Sequence, residues 1–80
     1  MKIVLDTRVY IVINTTEYED NPTAMVQNCK GLEDCENFGW RLDEKYPCVQ
    51  THTEKLIGEL EVGDMIMSLD YKGAYLMRVG

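Results

Sequence analysis

Apolar and polar residues alternate through the beginning of the chain. Ile3, Leu5, Val9, Ile11 and Ile13 fall on one side of a period-two pattern broken only at Thr7, in a segment rich in β-branched residues. The pattern predicts a strand over residues 2–14. At ~3.3 Å per residue it would be long for a small domain, so a bend, bulge or tight turn is expected near Asp6-Thr7. Residues 17–21 read as a polar loop. Asn21-Pro22 then has the form of an N-cap followed by proline at the first helical position, and Lys30-Gly31 that of a stop, so a short helix is expected between them.

The strongest helical pattern covers residues 32–46. At 100° per residue, Leu32, Cys35, Phe38, Gly39, Leu42 and Tyr46 fall within an arc of about 120°, the width of a core-facing stripe. Glu33, Asp34 and Glu36 occupy the first turns, where the helix dipole favours anions, Lys45 sits in the last, and Pro47 ends the run.

Beyond Pro47 the pattern becomes strand-like over 48–53. Leu60-Glu61-Val62-Gly63-Asp64 reads as a turn into a strand over 65–69. Asp70-Tyr71-Lys72-Gly73 suits a three-residue hairpin loop, 71–73, with Gly73 in the left-handed position of a bulge. That loop pairs Leu69 with Tyr75, Met67 with Met77 and Met65 with Val79, which places six apolar residues on one face; a four-residue loop would set Met65 against Arg78. The expected architecture is a small α+β domain spanning residues 1–80. Its antiparallel sheet combines the N-terminal strand with the C-terminal hairpin, and one or two helices pack on one face.

Composition narrows the function. With 80 residues there is room for a single domain, and 45% hydrophobic against 28% charged residues describes a folded chain rather than a disordered one. The net charge of −6 disfavours direct binding to nucleic acid, which needs clustered cations. The N-terminal run Met1-Lys2-Ile3-Val4-Leu5-Asp6 is too short for a secretory apolar region, and the longest apolar run, residues 9–13, is too short to span a membrane. Three cysteines, an odd count, fit reduced thiols and a cytoplasmic location. The Asn14-Thr15-Thr16 sequon carries no meaning without secretion.

The negative charge is concentrated. Between residues 17 and 44 lie Glu17, Glu19, Asp20, Glu33, Asp34, Glu36, Asp43 and Glu44 against only Lys30 and Arg41, while the remainder of the chain is neutral. Trp40 stands on the helical wheel about 160° from the apolar stripe, among Glu36, Asn37, Asp43 and Glu44. A solvated helical face accounts for the acids, and a loop folded over Trp40 would make it core. An exposed Trp40 would instead be an interface anchor, with Glu33, Glu36, Asp43 and Glu44 steering a partner and Tyr18 extending the surface.

Other chemistry is weaker. Cys29, Cys35, Cys48 and His52 supply a Cys3His zinc set in principle, but no short Cys-x2-4-Cys knuckle is present and Cys35 already belongs to the apolar stripe. In an extended segment Cys48 and His52 would lie about 13 Å apart, too far for a nucleophile and its base. Neither a phosphate loop nor a facing pair of carboxylates is present, so no enzyme and no cofactor are expected. Met65, Met67 and Met77 suit core filling or an adaptable contact surface. The expected function is binding of a protein with a basic surface, as an inhibitor or adaptor, including the type of viral protein that blocks a host nucleic-acid-binding protein. The alternative is a structural subunit, a homodimer or larger assembly joined through the edge of the C-terminal hairpin.

Overall fold

The computed structural model describes residues 6–16, 23–70 and 73–80. Its spine is β1 (Val9–Thr16), which is flanked on both sides. On one side β2 (Thr23–Lys30) runs antiparallel to it in unbroken register from Val9↔Lys30 to Thr16↔Thr23. The chain passes directly into α1 (Gly31–Asn37) and then through a turn to two short paired strands, β3 (Tyr46–Pro47) and β4 (Glu54–Lys55). A 3₁₀ turn at Ile57–Glu59 leads to the C-terminal pair β5 (Met65–Met67) and β6 (Ala74–Arg78). The main sheet has the order β2-β1-β6-β5, antiparallel throughout. No described helix is long and apolar enough to cross a membrane.

The α+β class and the antiparallel sheet agree with the sequence pattern, with one α-helix among the described residues, the lower of the one or two expected. The segment read as a helix ending at Lys30-Gly31 is β2. Its backbone finds partners along β1, and that tertiary pairing overrides a local helical signal made only of end markers. Among the described residues the N-terminal strand, β1, begins at Val9 and ends at Thr16, two residues beyond the expected end, and residues 6–8, where an interruption was expected, lie outside it, with Asp6 and Arg8 bonded to each other. Its expected portion over residues 2–5 lies outside the described residues.

The segment 48–53 is a turn, not a strand. The Cys48 and His52 amides donate to the Thr53 and Cys48 carbonyls (2.8 and 3.0 Å), and His52 takes a left-handed φ of 56°. The C-terminal hairpin forms, but two residues out of the expected register, with Met65↔Met77, Ile66↔Leu76 and Met67↔Tyr75. The Ser68 amide donates to the Ala74 carbonyl (2.9 Å), so the connection runs over 69–73. Gly73 does adopt the expected left-handed φ, at 87°. Its carbonyl accepts from both the amide (2.8 Å) and the hydroxyl (2.9 Å) of Thr15, which lengthens the ladder with β1 and shifts the turn. A Cβ there would lie 2.7 Å from the Thr15 carbonyl oxygen.

Alternation along the strands defines two faces. Tyr10, Val12, Cys29, Leu76 and Ile66 point to one side and are buried with Cys35, Trp40, Tyr46, Ile57 and Leu60 from the other elements. Val9, Ile11 and Ile13, the members of the N-terminal stripe that are described, point to the opposite side and are only half-buried. Both polar anchors of the core are paired. Asp64 is buried and accepts from Lys55 Nζ (2.9 Å) and the Glu61 amide (3.0 Å), while the Arg78 guanidinium donates to the Leu60 carbonyl (2.8 Å).

Candidate interaction site

The acidic segment is built on α1, whose start is held from outside the helix. Asp6 accepts from the Leu32 amide (3.0 Å) and, through both carboxylate oxygens, from the Arg8 side chain; Asp34 accepts from the Lys30 amide (2.8 Å). These bonds satisfy amides that a helix N-terminus leaves without intrahelical partners. The hydrogen bonds from Arg8, with those from the Leu32 and Arg8 amides, hold the Asp6 carboxyl well below the usual carboxylate range despite the opposing effect of burial. Gly31 makes the approach possible: its φ is 74°, and a Cβ would sit 3.1 Å from Asp6 Cβ and Cγ.

The helix ends far sooner than the expected 32–46. The Gly39 amide donates to the Glu36 carbonyl (2.9 Å) and the Trp40 amide to the Cys35 carbonyl (3.1 Å), the paired bonds of a Schellman motif, with Gly39 at a left-handed φ of 93°. This reversal exchanges the roles of two aromatics. Trp40, expected on the outer face, is turned inward to 6% exposure and packs against Tyr46 with ring centroids 5.1 Å apart and planes tilted by 60°. Phe38, assigned to the core-facing stripe, is 46% exposed. The Tyr46 hydroxyl accepts from the Arg41 amide (3.0 Å), which fixes the turn above it. The sequence did hold the signal, for a glycine just after the last apolar turn of a helix is a common stop.

Between this turn and the sheet lies a cleft of about 480 Å³, with Phe38 and Trp40 on one wall and Asn14, Ala74 and Asp70 opposite. Outside it, Glu33, Glu36 and Asp43 are exposed and Glu44 is half-buried. None of these four forms an ion pair among the described residues, where the pairs are Arg8–Asp6 (2.7 Å) and Lys55–Asp64 (2.9 Å). Tyr18, with Glu17, Glu19 and Asp20, lies outside the described residues.

The cysteines and His52 are not brought together. Cys29 on β2 and Cys35 on α1 are buried side by side under burial that raises both thiols, Cys35 to about 12. Cys48 sits at the other end of the sheet, bridged to Ile66 on β5. No group of three or more potential metal ligands gathers among the described residues. The turn does place Cys48 and His52 beside one shallow cleft, closer than an extended segment would allow. Yet the Cys48 thiol is buried and bonds to Gln50 Oε1 (3.7 Å). Burial raises it, but hydrogen bonds from the Thr51 side chain and the Thr51 and Gln50 amides outweigh that effect and hold it below the usual thiol range.

At the hairpin edge expected to join subunits, part of the backbone is engaged within the chain. β6 lies inside the sheet, and the outer side of β5 is engaged by the Val49 amide, which donates to the Met65 carbonyl (2.9 Å), and by Gln50 Oε1, which accepts from the Met65 amide (2.7 Å). No family model matches this chain, and no curated protein and no solved structure matches it.

Proposed function

We propose that this protein works by binding a protein partner with a basic surface, in the manner of an inhibitor or adaptor, through α1 and the turn that follows it. One observation carries the reading: an exposed aromatic, Phe38, stands at the end of a helix whose outward carboxylates, Glu33 and Glu36, have no cationic partner among the described residues. A rigid aromatic ringed by polar groups has the character of an anchor, and uncompensated carboxylates accelerate encounter with a cationic surface. Asp43 and Glu44 extend the same negative field along the turn. Trp40 acts from beneath, as the buried support that holds the turn in place.

The test uses tagged wild type, Phe38→Ala and a Glu33→Lys/Glu36→Lys double variant, each checked for folding by circular dichroism. Partners captured from source-cell lysate are purified and their affinity is titrated at about 50 and about 300 mM salt. Phe38→Ala is expected to weaken binding about 30-fold, on the order of 2 kcal/mol, with little change in folding stability. Charge reversal should weaken binding strongly at low salt and less at high salt. Identical capture by all three proteins, or none by wild type, overturns the reading.

A further inference from the structure

Among the described residues, the sheet has a layer on one face only. On the other, cross-strand registers assemble an apolar surface in rows: Val26, Ile13, Tyr75 and Met67 in one, Asn28, Ile11, Met77 and Met65 in the next, Lys30 and Val9 at the end. Val9, Ile11, Ile13, Met65, Tyr75 and Met77 are half-buried, and Val26 and Met67 are exposed. The buried residues of α1, the 3₁₀ turn and the 38–45 turn all belong to the opposite side, with Tyr10 and Leu76.

We propose that a second copy of this chain covers this face, the two sheets packing against each other about a two-fold axis. Three observations select that occupant. The first is charge. In a chain of net charge −6, these rows hold no acid and a single cation, Lys30 at a corner. Such a face offers nothing to a charged partner and matches another uncharged face. The carboxylates of α1 lie beyond the far side of the sheet. With layers about 10 Å apart, the two helices of a dimer stand roughly 30 Å from each other, several times the ~8 Å screening length at physiological salt, so repulsion between copies is weak.

The second observation is area. Four strands about 4.8 Å apart and about 20 Å long present roughly 400 Å² in projection per copy. With side-chain relief, two copies bury on the order of 1,000 Å², at the lower end of specific interfaces, which implies a dimer that dissociates in the micromolar range. The third is need. A chain of 80 residues has a small core, and small domains are commonly stapled by disulfides, metal or association. Here Cys29, Cys35 and Cys48 are free thiols and no metal-ligand cluster is present among the described residues. Association is a further staple of this kind.

A rival geometry is a continuous sheet formed through the edge of β2. The Gly31 amide donates to the Arg8 carbonyl (2.7 Å), so the ladder alternates such that Val26 and Asn28 direct their backbone groups away from β1. This rival is separated from the face by the choice of variants. Sedimentation equilibrium from about 1 to about 100 μM should show wild type passing from monomer to dimer, with little dependence on salt. Ile13→Lys and Met67→Lys put like charges into the interface and should each raise the dissociation constant about a hundredfold or more. A dimer joined through the β2 edge would instead survive Met67→Lys, because Met67 lies on β5, at the opposite edge of the sheet from β2.

A wild type that stays monomeric throughout, or a dimer that survives both lysine variants, overturns the proposal. So does a dimer that survives Met67→Lys alone, which assigns the contact to the β2 edge. Should either lysine variant fail to fold, methyl-labelled wild type decides. Over the same concentration range the methyl signals of Met65, Met67 and Met77 must shift while that of Met25, on the opposite side of the sheet, stays fixed; unmoved signals overturn the proposal. Because the acidic surface of α1 is not part of this interface, failure here leaves the partner-binding reading standing, and the reverse also holds.

Discussion

On one face of the sheet Tyr10, Val12, Leu76 and Ile66 meet a second layer; on the other, Ile11, Ile13, Met77 and Met65 are equally apolar and meet none among the described residues. Adjacent residues of the same strands thus have opposite fates. The covering layer is one short helix, a 3₁₀ turn and a Schellman turn, and together they can cover only one side. Burial in so small a domain is decided by where the covering segments fold, not by how apolar each strand residue is.

The sharpest way to break this contrast is through the aromatic pair of the covering layer. Trp40→Ala opens a hole beside Tyr46 and is expected to cost about 3–5 kcal/mol of stability, whereas Phe38→Ala should stay within about 0.5 kcal/mol. Urea denaturation monitored by far-ultraviolet circular dichroism checks both. Comparable losses for the two variants would mean that the inward and outward assignments are misplaced.

The two faces are then compared directly at neighbouring positions of β6. Leu76→Ala should cost about 2–5 kcal/mol and Met77→Ala less than about 1 kcal/mol, measured at about 1 μM, where self-association is weak. At higher concentration the Met77 variant should lose more relative to wild type, because the second copy then covers that face. Next in size is Gly73→Ala, expected to cost more than about 1 kcal/mol, since its left-handed φ and the 2.7 Å approach to the Thr15 carbonyl leave no place for a methyl group.

These contrasts also mark where the sequence was legible. The α+β class, the antiparallel C-terminal hairpin, the start of α1 near Leu32 and the left-handed Gly73 follow from local chemistry, and local chemistry is written in the chain. Three features are not local. Ile11 and Ile13 look like a core stripe because alternation reports periodicity without saying which side is covered. The segment now seen as β2 became a strand because β1 offered it backbone partners, against helix-like markers at its ends. The register of the hairpin was set by Thr15 of a distant strand holding the Gly73 carbonyl. Within the candidate site the acids were legible by composition, but exchanging Trp40 for Phe38 required recognising Gly39 as the stop of α1.

The smallest expected effect concerns how the covering layer is fastened, and pH reads it. Asp6, hydrogen-bonded by Arg8 and by the Leu32 amide, ties the start of α1 to the entrance of β1. Asp64, held by the Glu61 amide and by Lys55, ties the turn before β5 to β4. Both carboxyls are held below their ordinary values, first by the Arg8 side chain for Asp6 and by the Glu61 amide for Asp64. The unfolded chain therefore binds protons at a higher pH than the folded one. The stabilisation is complete above the ordinary carboxylate range, around pH 4, and is lost as pH falls through the lower values of the folded state. Midpoints of urea denaturation should be level from about pH 7 to about pH 5 and then decline. Asp6→Asn and Asp64→Asn should each start lower at neutral pH and decline less steeply. Burial of the Cys35 thiol works in the opposite direction, costing stability as pH rises above the ordinary thiol range near 9, because only the unfolded chain can then release that proton. A variant lacking Asp6 whose acid limb matches wild type would show that α1 is held to the sheet by its buried contacts alone, with Cys35 and the Schellman turn sufficient to keep one face covered.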